Sequence, residues 1–436
     1  MKILNFDQFD PESIAMLQAL YSRSSESVVV HAEKVLERGS AKFMESFYVG
    51  YGHASIGDCG TTTLFIENVS MLATKAIQDN PLYSGQESST RYIDFSQQKI
   101  INPGLSSLGE KIQSRWLDFY LSNQEQVEDH LKKRFPINSG ENANIWSKAI
   151  KARTFDVLRG FLPAGITTQL SWSTNLRQAH ENICRLKAHP LEEVQAIASE
   201  LQSVLKNSYP NSFSHKSYSS QDKYLSDVYG SCSYLKNHSD LNDGFEAKPL
   251  IQDVVNSRDL KFIIERPEKT TLPRNIANLG RYKIICHIDY GSFRDLQRHR
   301  NGYCPIPLLG DDIGFHDWYL DQLPDDLRID AENLICEQKS ATEALASKES
   351  LSEYDIQYFL PMGYKVQCEL EYDLSQLLYV SELRSSVTVH PTLRVIAQKM
   401  ALFIRNQIPN IPVYSDDSLT DFDIRRGLQD IVEKKV

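Results

Sequence analysis

Leu162-Pro163-Ala164-Gly165 recurs in this chain as Leu360-Pro361-Met362-Gly363, and the sequence reads the same way around each copy. Each motif stops a helix, because proline lacks an N–H and clashes with the preceding turn. Each is followed by a run with strand-like alternation, at 166–172 and 366–372. A helix bearing arginine comes next (Arg177 and Arg185, then Arg384), then His189-Pro190 or His390-Pro391, then Pro210-Asn211 or Pro409-Asn410. From the motif proline to the closing proline is 47 residues in one copy and 48 in the other. Punctuation that matches over such a distance predicts an internal duplication. A period of about 200 residues means two copies of a domain, not a solenoid.

Working outward, residues 61–69 are rich in β-branched side chains and predict a strand, and Ser70 can cap a helix running to about 78. Residues 282–290 and 293–299 repeat that strand and helix. Spaced apolar positions predict long helices over 107–134, 143–160 and 325–346, and residues 11–50 also read as helical. The expected fold class is α+β, with two tandem domains, each a sheet flanked by long helices. The expected partition is 1–215 and 251–436, with the polar, tyrosine-bearing stretch 216–250 as a linker.

A chain of 436 residues with 41% hydrophobic and 24% charged side chains easily buries a core. Its net charge of −10 argues against a basic nucleic-acid-binding surface but leaves room for a local cationic pocket. The sequence lacks an apolar run of membrane-spanning length, and its first residues lack a signal-peptide core. The seven cysteines (Cys59, Cys184, Cys232, Cys286, Cys304, Cys336, Cys368) form no CxxC pair, so a reduced, cytoplasmic chain without a metal site is expected.

The chemistry-bearing stretch is Ser84-Gly85-Gln86-Glu87-Ser88-Ser89-Thr90-Arg91-Tyr92. Its hydroxyls and guanidinium suit a phosphate cradle, and Gly85 allows a backbone turn that other residues resist. A second basic cluster, Arg298-His299-Arg300, sits downstream. On their own these residues also fit ordinary roles. Arg298 to Arg300 can complete a helix C-terminus, Arg159, Arg177 and Arg185 can be ion-pair partners, and Asp79-Asn80-Pro81 can terminate a helix.

Together the two stretches resemble the signature of the flavin-dependent thymidylate synthase (ThyX) family, R-H-R-x-x-S-x-N-E-x-S-x-R-Y, split between two diverged copies. The first copy keeps the right half, with Gln86 in place of asparagine, and has Asp79-Asn80-Pro81 where R-H-R belongs. The second keeps Arg298-His299-Arg300 but continues Tyr303-Cys304-Pro305-Ile306-Pro307. Arg159 matches an arginine that the family places before the LP motif, and Gln357 stands there in the second copy. Asn175 and Arg177 match the N-x-R helix. His53-Ala54-Ser55 begins the H-x-S-x-x-E-H motif, which continues with Asp58 and Cys59.

The resemblance implies reductive methylation of dUMP at C5, with FAD as cofactor, methylenetetrahydrofolate as carbon donor and NADPH as reductant. It implies substrate contacts from Ser84, Gln86, Glu87, Ser88, Ser89, Arg91, Tyr92 and Arg159. Flavin contacts would come from His53, Ser55, Asn175, Arg177, Arg298, His299 and Arg300, and catalytic guanidinium groups from Arg185 and Arg384. A homodimer imitating the family's tetramer would pair unlike halves, so that each site draws on both copies. The losses at Asp58, Cys59 and Gln86 keep open a nucleotide- or flavin-binding homologue without turnover, and a flavoenzyme making another C5-modified pyrimidine nucleotide.

Overall fold

The computed structural model describes residues 9–420, except 23, 25–26, 51–52, 90–94, 217, 237–240, 253–256, 278–279 and 409. Four strands form where the sequence predicts them, and a fifth, β3, begins inside the stretch expected to be a linker. Strands β1 (Thr61–Ser70) and β2 (Thr167–Asn175) make a two-stranded sheet, and β3 (Phe245–Gln252), β4 (Gly280–Asp289) and β5 (Lys365–Asp373) make a three-stranded one. β4 and β5 pair antiparallel without a slip, from Arg281 opposite Asp373 to Asp289 opposite Lys365.

The chain divides into two units. The first takes residues to 69, 73–88 and 168–233; the second takes 70–72, 89–167 and everything from 234. This division crosses the sequence repeat, since the helical segment Ser107–Ser122 of the first copy packs on Asp325–Glu349 of the second. The Trp116 indole N–H, for example, donates to the Phe359 carbonyl at 3.1 Å. The stretch expected to be a linker instead carries the helix Ser219–Cys232, and β3 begins at Phe245.

In the first unit, helices Pro11–Tyr21 and Val28–Arg38 close around Met16, Leu17, Ala32 and Val35, and Leu176–Lys187 packs on Glu192–Ser208. Residues 84–88 run as an added edge along β2. Ser173 N–H donates to the Ser84 carbonyl at 2.7 Å, Ser171 N–H to Gln86 at 2.8 Å, and Ser88 N–H to Gln169 at 3.0 Å. Gly85 makes this possible, because a Cβ there would collide with the Ser171 carbonyl and lie 2.6 Å from the Tyr83 hydroxyl.

The duplication is visible bond by bond. Ser84 bridges Ser173 in the first unit, and Tyr303 bridges Glu371 at the equivalent place in the second. Within the second unit, Met71 N–H donates to Ile166 as Tyr290 N–H donates to Tyr364. The two LP turns also exchange bonds reciprocally. Ala164 N–H donates to the Leu360 carbonyl (2.8 Å) and Met362 N–H to Leu162 (2.9 Å); Gly165 N–H donates to Tyr358 (3.2 Å) and Gly363 N–H to Gly160 (2.7 Å). Each bond maps onto its counterpart when the copies are swapped, which is the signature of a local pseudo-twofold axis.

This exchange leaves no room for a side chain at Gly363, where a Cβ would enter the Phe315 ring and lie 2.7 Å from the Gly160 carbonyl. Gly363→Ala is expected to cost about 1–3 kcal/mol by overpacking. Gly230→Ala, on a helix with open space around it, is expected to stabilise by about 0.5–1 kcal/mol. Thermal melts of the two variants should shift in opposite directions.

Candidate functional site

The site is assembled in the second unit from helix ends. The helix Tyr290–Leu296 starts at Asp289, whose carboxylate caps it by accepting from Ser292 N–H at 2.8 Å. Four residues of spacing put Arg294 and Arg298 on one side of this helix and its exit turn. The helix Leu374–Arg384, capped by Asp373, delivers Arg384 at its last residue. The short turn Arg159–Phe161, just before the first LP motif, delivers Arg159.

These groups converge on a cavity of about 450 Å³ lined by Ser89, Arg159, Arg294, Asp295, Arg298 and Arg384, with Gly291 and His390 among the other walls. Ser89 and Arg159 come from the first copy and the remaining cations from the second.

Each cation is held. Arg159 is buried and donates to Ser292 Oγ at 3.0 Å. Burial works against its charge, yet Tyr319, Asp156, Asp289 and Asp295 around it raise its pKa above the ordinary guanidinium value. Beneath it, the fully buried Asp289 accepts from the Tyr319 hydroxyl at 2.7 Å and from Thr392 Oγ1 at 2.5 Å. Thr392 Oγ1 lies 2.8 Å from Ser292 Oγ. Burial, followed by Asp289, raises the Tyr319 pKa well above its usual value, so the phenol stays protonated and donates. Arg384 donates from Nε to His299 Nε2 at 2.8 Å and from Nη2 to the Asp295 carbonyl at 3.0 Å. Burial and the neighbouring Arg384 push His299 down to about 3, so its ring is neutral and can accept that bond. Burial also lowers the Arg384 pKa, against the pull of Asp295.

Of the site residues expected from sequence, the structure brings Ser89, Arg159, Arg298 and Arg384 onto one cavity. His299 stands behind Arg384, and Arg300 donates to the Arg298 carbonyl at 3.4 Å. Arg91 and Tyr92 lie outside the described residues.

The others sit in the first unit. Ser84, Gln86 and Ser88 line the edge of β2 through their backbones. Glu87 turns inward to Lys75 Nζ (2.7 Å) and Gln78 Nε2 (3.0 Å). Asn175 caps its helix by accepting from Gln178 N–H at 2.8 Å. Arg177 pairs with Asp58 (2.8 Å) and Glu181 (3.0 Å), while Arg185 donates to the Ala76 carbonyl (2.8 Å) and lies 3.6 Å from the Asp79 carboxylate. His53 precedes the short helix Ala54–Gly57, and both His53 and Ser55 are exposed.

Counted from the start of each strand, Lys75 corresponds to Arg294 and Asp79 to Arg298; Arg185, one position short of Arg384 by the same count, donates to the Ala76 carbonyl as Arg384 does to that of Asp295. In the first unit these cations meet carboxylates, Lys75 on Glu87 and Arg185 on Asp79. In the second they face a cavity. Sequence reasoning missed Arg294, Asp295 and His390 as lining residues. The four-residue spacing of Arg294 and Arg298 was the available signal.

Fold and site thus define a duplicated α+β protein with an arginine-lined cavity built from both copies. Residues 5–211 match the family described as Thymidylate synthase complementing protein. A UPF0159 protein of Chlamydia pneumoniae is 24% identical over 442 aligned positions, covering 86% of this chain and 80% of that protein. A UPF0159 protein of Thermoplasma acidophilum is 24% identical over 482, covering 91% and 93%. The crystal structure of Helicobacter pylori ThyX complexed with FAD and dUMP is 16% identical, with a TM-score of 0.29, covering 48% of this chain and 96% of that one. The first copy thus matches that family, and the duplicated chain as a whole is similar in extent to the UPF0159 proteins.

Two outcomes follow from the electrostatics. Lys75 and Glu87 are 0% and 1% exposed, so Glu87→Gln strands a buried ammonium and is expected to cost about 3–5 kcal/mol in chemical unfolding. His299 is depressed from 6.5 to about 3, so in that window the unfolded chain binds a proton that the folded chain does not. Its contribution to stability is complete above about pH 6.5 and is lost as pH falls toward 3. Urea midpoints measured between about pH 4.5 and 7 should therefore vary less in His299→Gln than in the parent.

Proposed function

We propose that this protein binds a pyrimidine deoxynucleotide in the arginine-lined cavity and, with FAD, methylates dUMP at C5. The carrying observation is the convergence of Ser89 and Arg159 from one copy with Arg294, Arg298 and Arg384 from the other on one cavity of about 450 Å³. This much fixed positive charge on a chain of net charge −10 marks a site for a phosphate-bearing ligand. The reading also rests on the family match over the first copy. Its domain scheme is two ThyX-like copies over 1–215 and 251–436, with a dimer of such chains standing in for a tetramer.

In this reading Arg159 and Arg294, with the Ser89 hydroxyl, hold the phosphate. Arg159 is fixed by Ser292 and by the Asp289–Tyr319–Thr392 network beneath it, so little ordering remains to be done on binding. Arg384, positioned by the neutral His299, donates to a uracil carbonyl and steadies the negative charge that builds in the ring as C5 attacks the donor carbon.

The residues present also fit a flavin. A neighbouring compartment of about 470 Å³ shares Leu383 and Ser386 with the cationic cavity and offers Tyr379, Tyr414, Leu272 and Leu378 to a planar ring. Arg300 would hold the flavin phosphates, while Arg298, on the wall of the cationic cavity, faces the nucleotide. Bound reduced FAD would supply the hydride, with NADPH recharging it and methylenetetrahydrofolate giving the carbon.

A second reading, nucleotide binding without turnover, is favoured by one observation: Glu87 of the signature is buried against Lys75. Product formation from dUMP, methylenetetrahydrofolate and NADPH in the presence of FAD separates the two readings.

Titration calorimetry should find one dUMP per chain. Arg159→Ala, Arg298→Ala and Arg384→Ala should each weaken binding about ten- to hundredfold, the scale of a lost charge-assisted hydrogen bond. Arg185→Ala, whose partners are Ala76 and Asp79, should leave affinity within about twofold. Undiminished affinity in Arg159→Ala or Arg298→Ala would sink the composite site.

A further inference from the structure

We propose that Asp295 makes the cavity select uracil over cytosine. The inference rests on the nucleotide reading above and assigns its base specificity. Asp295 is the one carboxylate among the described lining residues, in a cavity otherwise furnished with guanidinium groups. It helps to keep Arg159 and Arg384 charged, but toward a phosphate itself it is unfavourable, because a carboxylate repels the anion it faces. The helix does not require it either, since the corresponding residue of the first copy is Ala76.

Asp295 sits between two cations. Its carboxylate lies 3.4 Å from Arg298 Nη1, and its backbone carbonyl accepts from Arg384 Nη2 at 3.0 Å. Its side chain is about a quarter exposed (24%), so it reaches the open volume. The wall therefore reads donor, acceptor, donor.

The pairing edge of uracil reads acceptor, donor, acceptor through O2, N3–H and O4, which is the complement. Cytosine presents a bare N3 lone pair to the carboxylate and an amino group toward a guanidinium. Two like partners then face each other, and a site built around a ligand's hydrogen-bond donor rejects an analogue that lacks it far more strongly than an apolar pocket rejects a missing methylene.

The test is calorimetry of the full chain with dUMP and with dCMP at about pH 8, where cytosine N3 is unprotonated. The parent should prefer dUMP by about ten- to hundredfold. Asp295→Ala should bring the two affinities within about threefold of each other. Asp295→Asn can turn its amide N–H toward cytosine N3 and should bind dCMP more tightly than the parent, a gain that misfolding does not produce. Equal affinities in the parent, or undiminished discrimination in Asp295→Ala with dUMP still bound, would overturn the role of Asp295 and leave the nucleotide site standing. Failure of the parent to bind either nucleotide would overturn both.

Discussion

The reciprocal backbone exchange between the two LP turns is the constraint on which the second unit depends. Four N–H groups, on Ala164, Gly165, Met362 and Gly363, find their acceptors on the opposite turn. Single bonds of this kind contribute about 1 kcal/mol each, but buried peptide groups left without partners cost more than that. The turns therefore fix each other's position as well as their own. Arg159 lies four residues before Pro163, at the start of one of these turns. Fixing the turn fixes where its guanidinium emerges, among helix ends that belong to the other copy.

The same backbone plan carries opposite electrostatics in the two copies. Around the first, Lys75 and Arg185 are answered by Glu87 and Asp79, and Arg177 by Asp58 and Glu181. Around the second, Arg294, Arg298 and Arg384 border open volume, with Asp295 as the acid among them. Cations left in a recess are costly unless something charged completes them. One copy supplies the completing groups from its own sequence, and in the other the cations border open volume that the proposed nucleotide would fill. The network under Arg159 serves this arrangement. Asp289 sits below the cavity floor, so it sustains the guanidinium charge without taking up the ligand's place.

Much of this was legible in the sequence because it rests on local rules. β-Branched runs and alternation located β1, β2, β4 and β5; proline and glycine located the LP turns; and the motif halves pointed to Ser89 and Arg298, with Arg159 and Arg384 read from their places beside the LP motif and on the following helix. What was not legible depends on distant partners. Nothing local tells that Glu87 faces Lys75, which lies twelve positions earlier on a different element. Composition also misled over 216–250, where Ser, Tyr, Asp and Lys suggest a linker. The helix Ser219–Cys232 has no buried residue, so it lacks the apolar stripe by which a helix announces itself. The division into units was hidden for a related reason. Ser107–Ser122 has an ordinary amphipathic face, and that pattern does not say which copy the face will meet.

Duplication in one chain also explains how such divergence can arise without destroying the cavity. Where identical single-copy chains assemble, each substitution appears in every site, so an aspartate in place of the first signature arginine would remove that cation everywhere. Here Asp79 affects one copy while Arg298 survives in the other, and Ser84–Ser89 keeps most of what the Tyr303–Pro307 segment has lost, Gln86 for asparagine excepted. Each copy is free to lose the half that the other retains, provided the backbone geometry that brings the retained halves together is preserved. The features common to both copies are those that set backbone position: the paired strands, the LP turns with their exchanged bonds, and the Ser84–Ser173 and Tyr303–Glu371 bridges. The features that differ are the cations that line the cavity in one copy and the carboxylates that answer their counterparts in the other. That is the pattern expected when geometry is held for the whole molecule and chemistry is concentrated in one part of it.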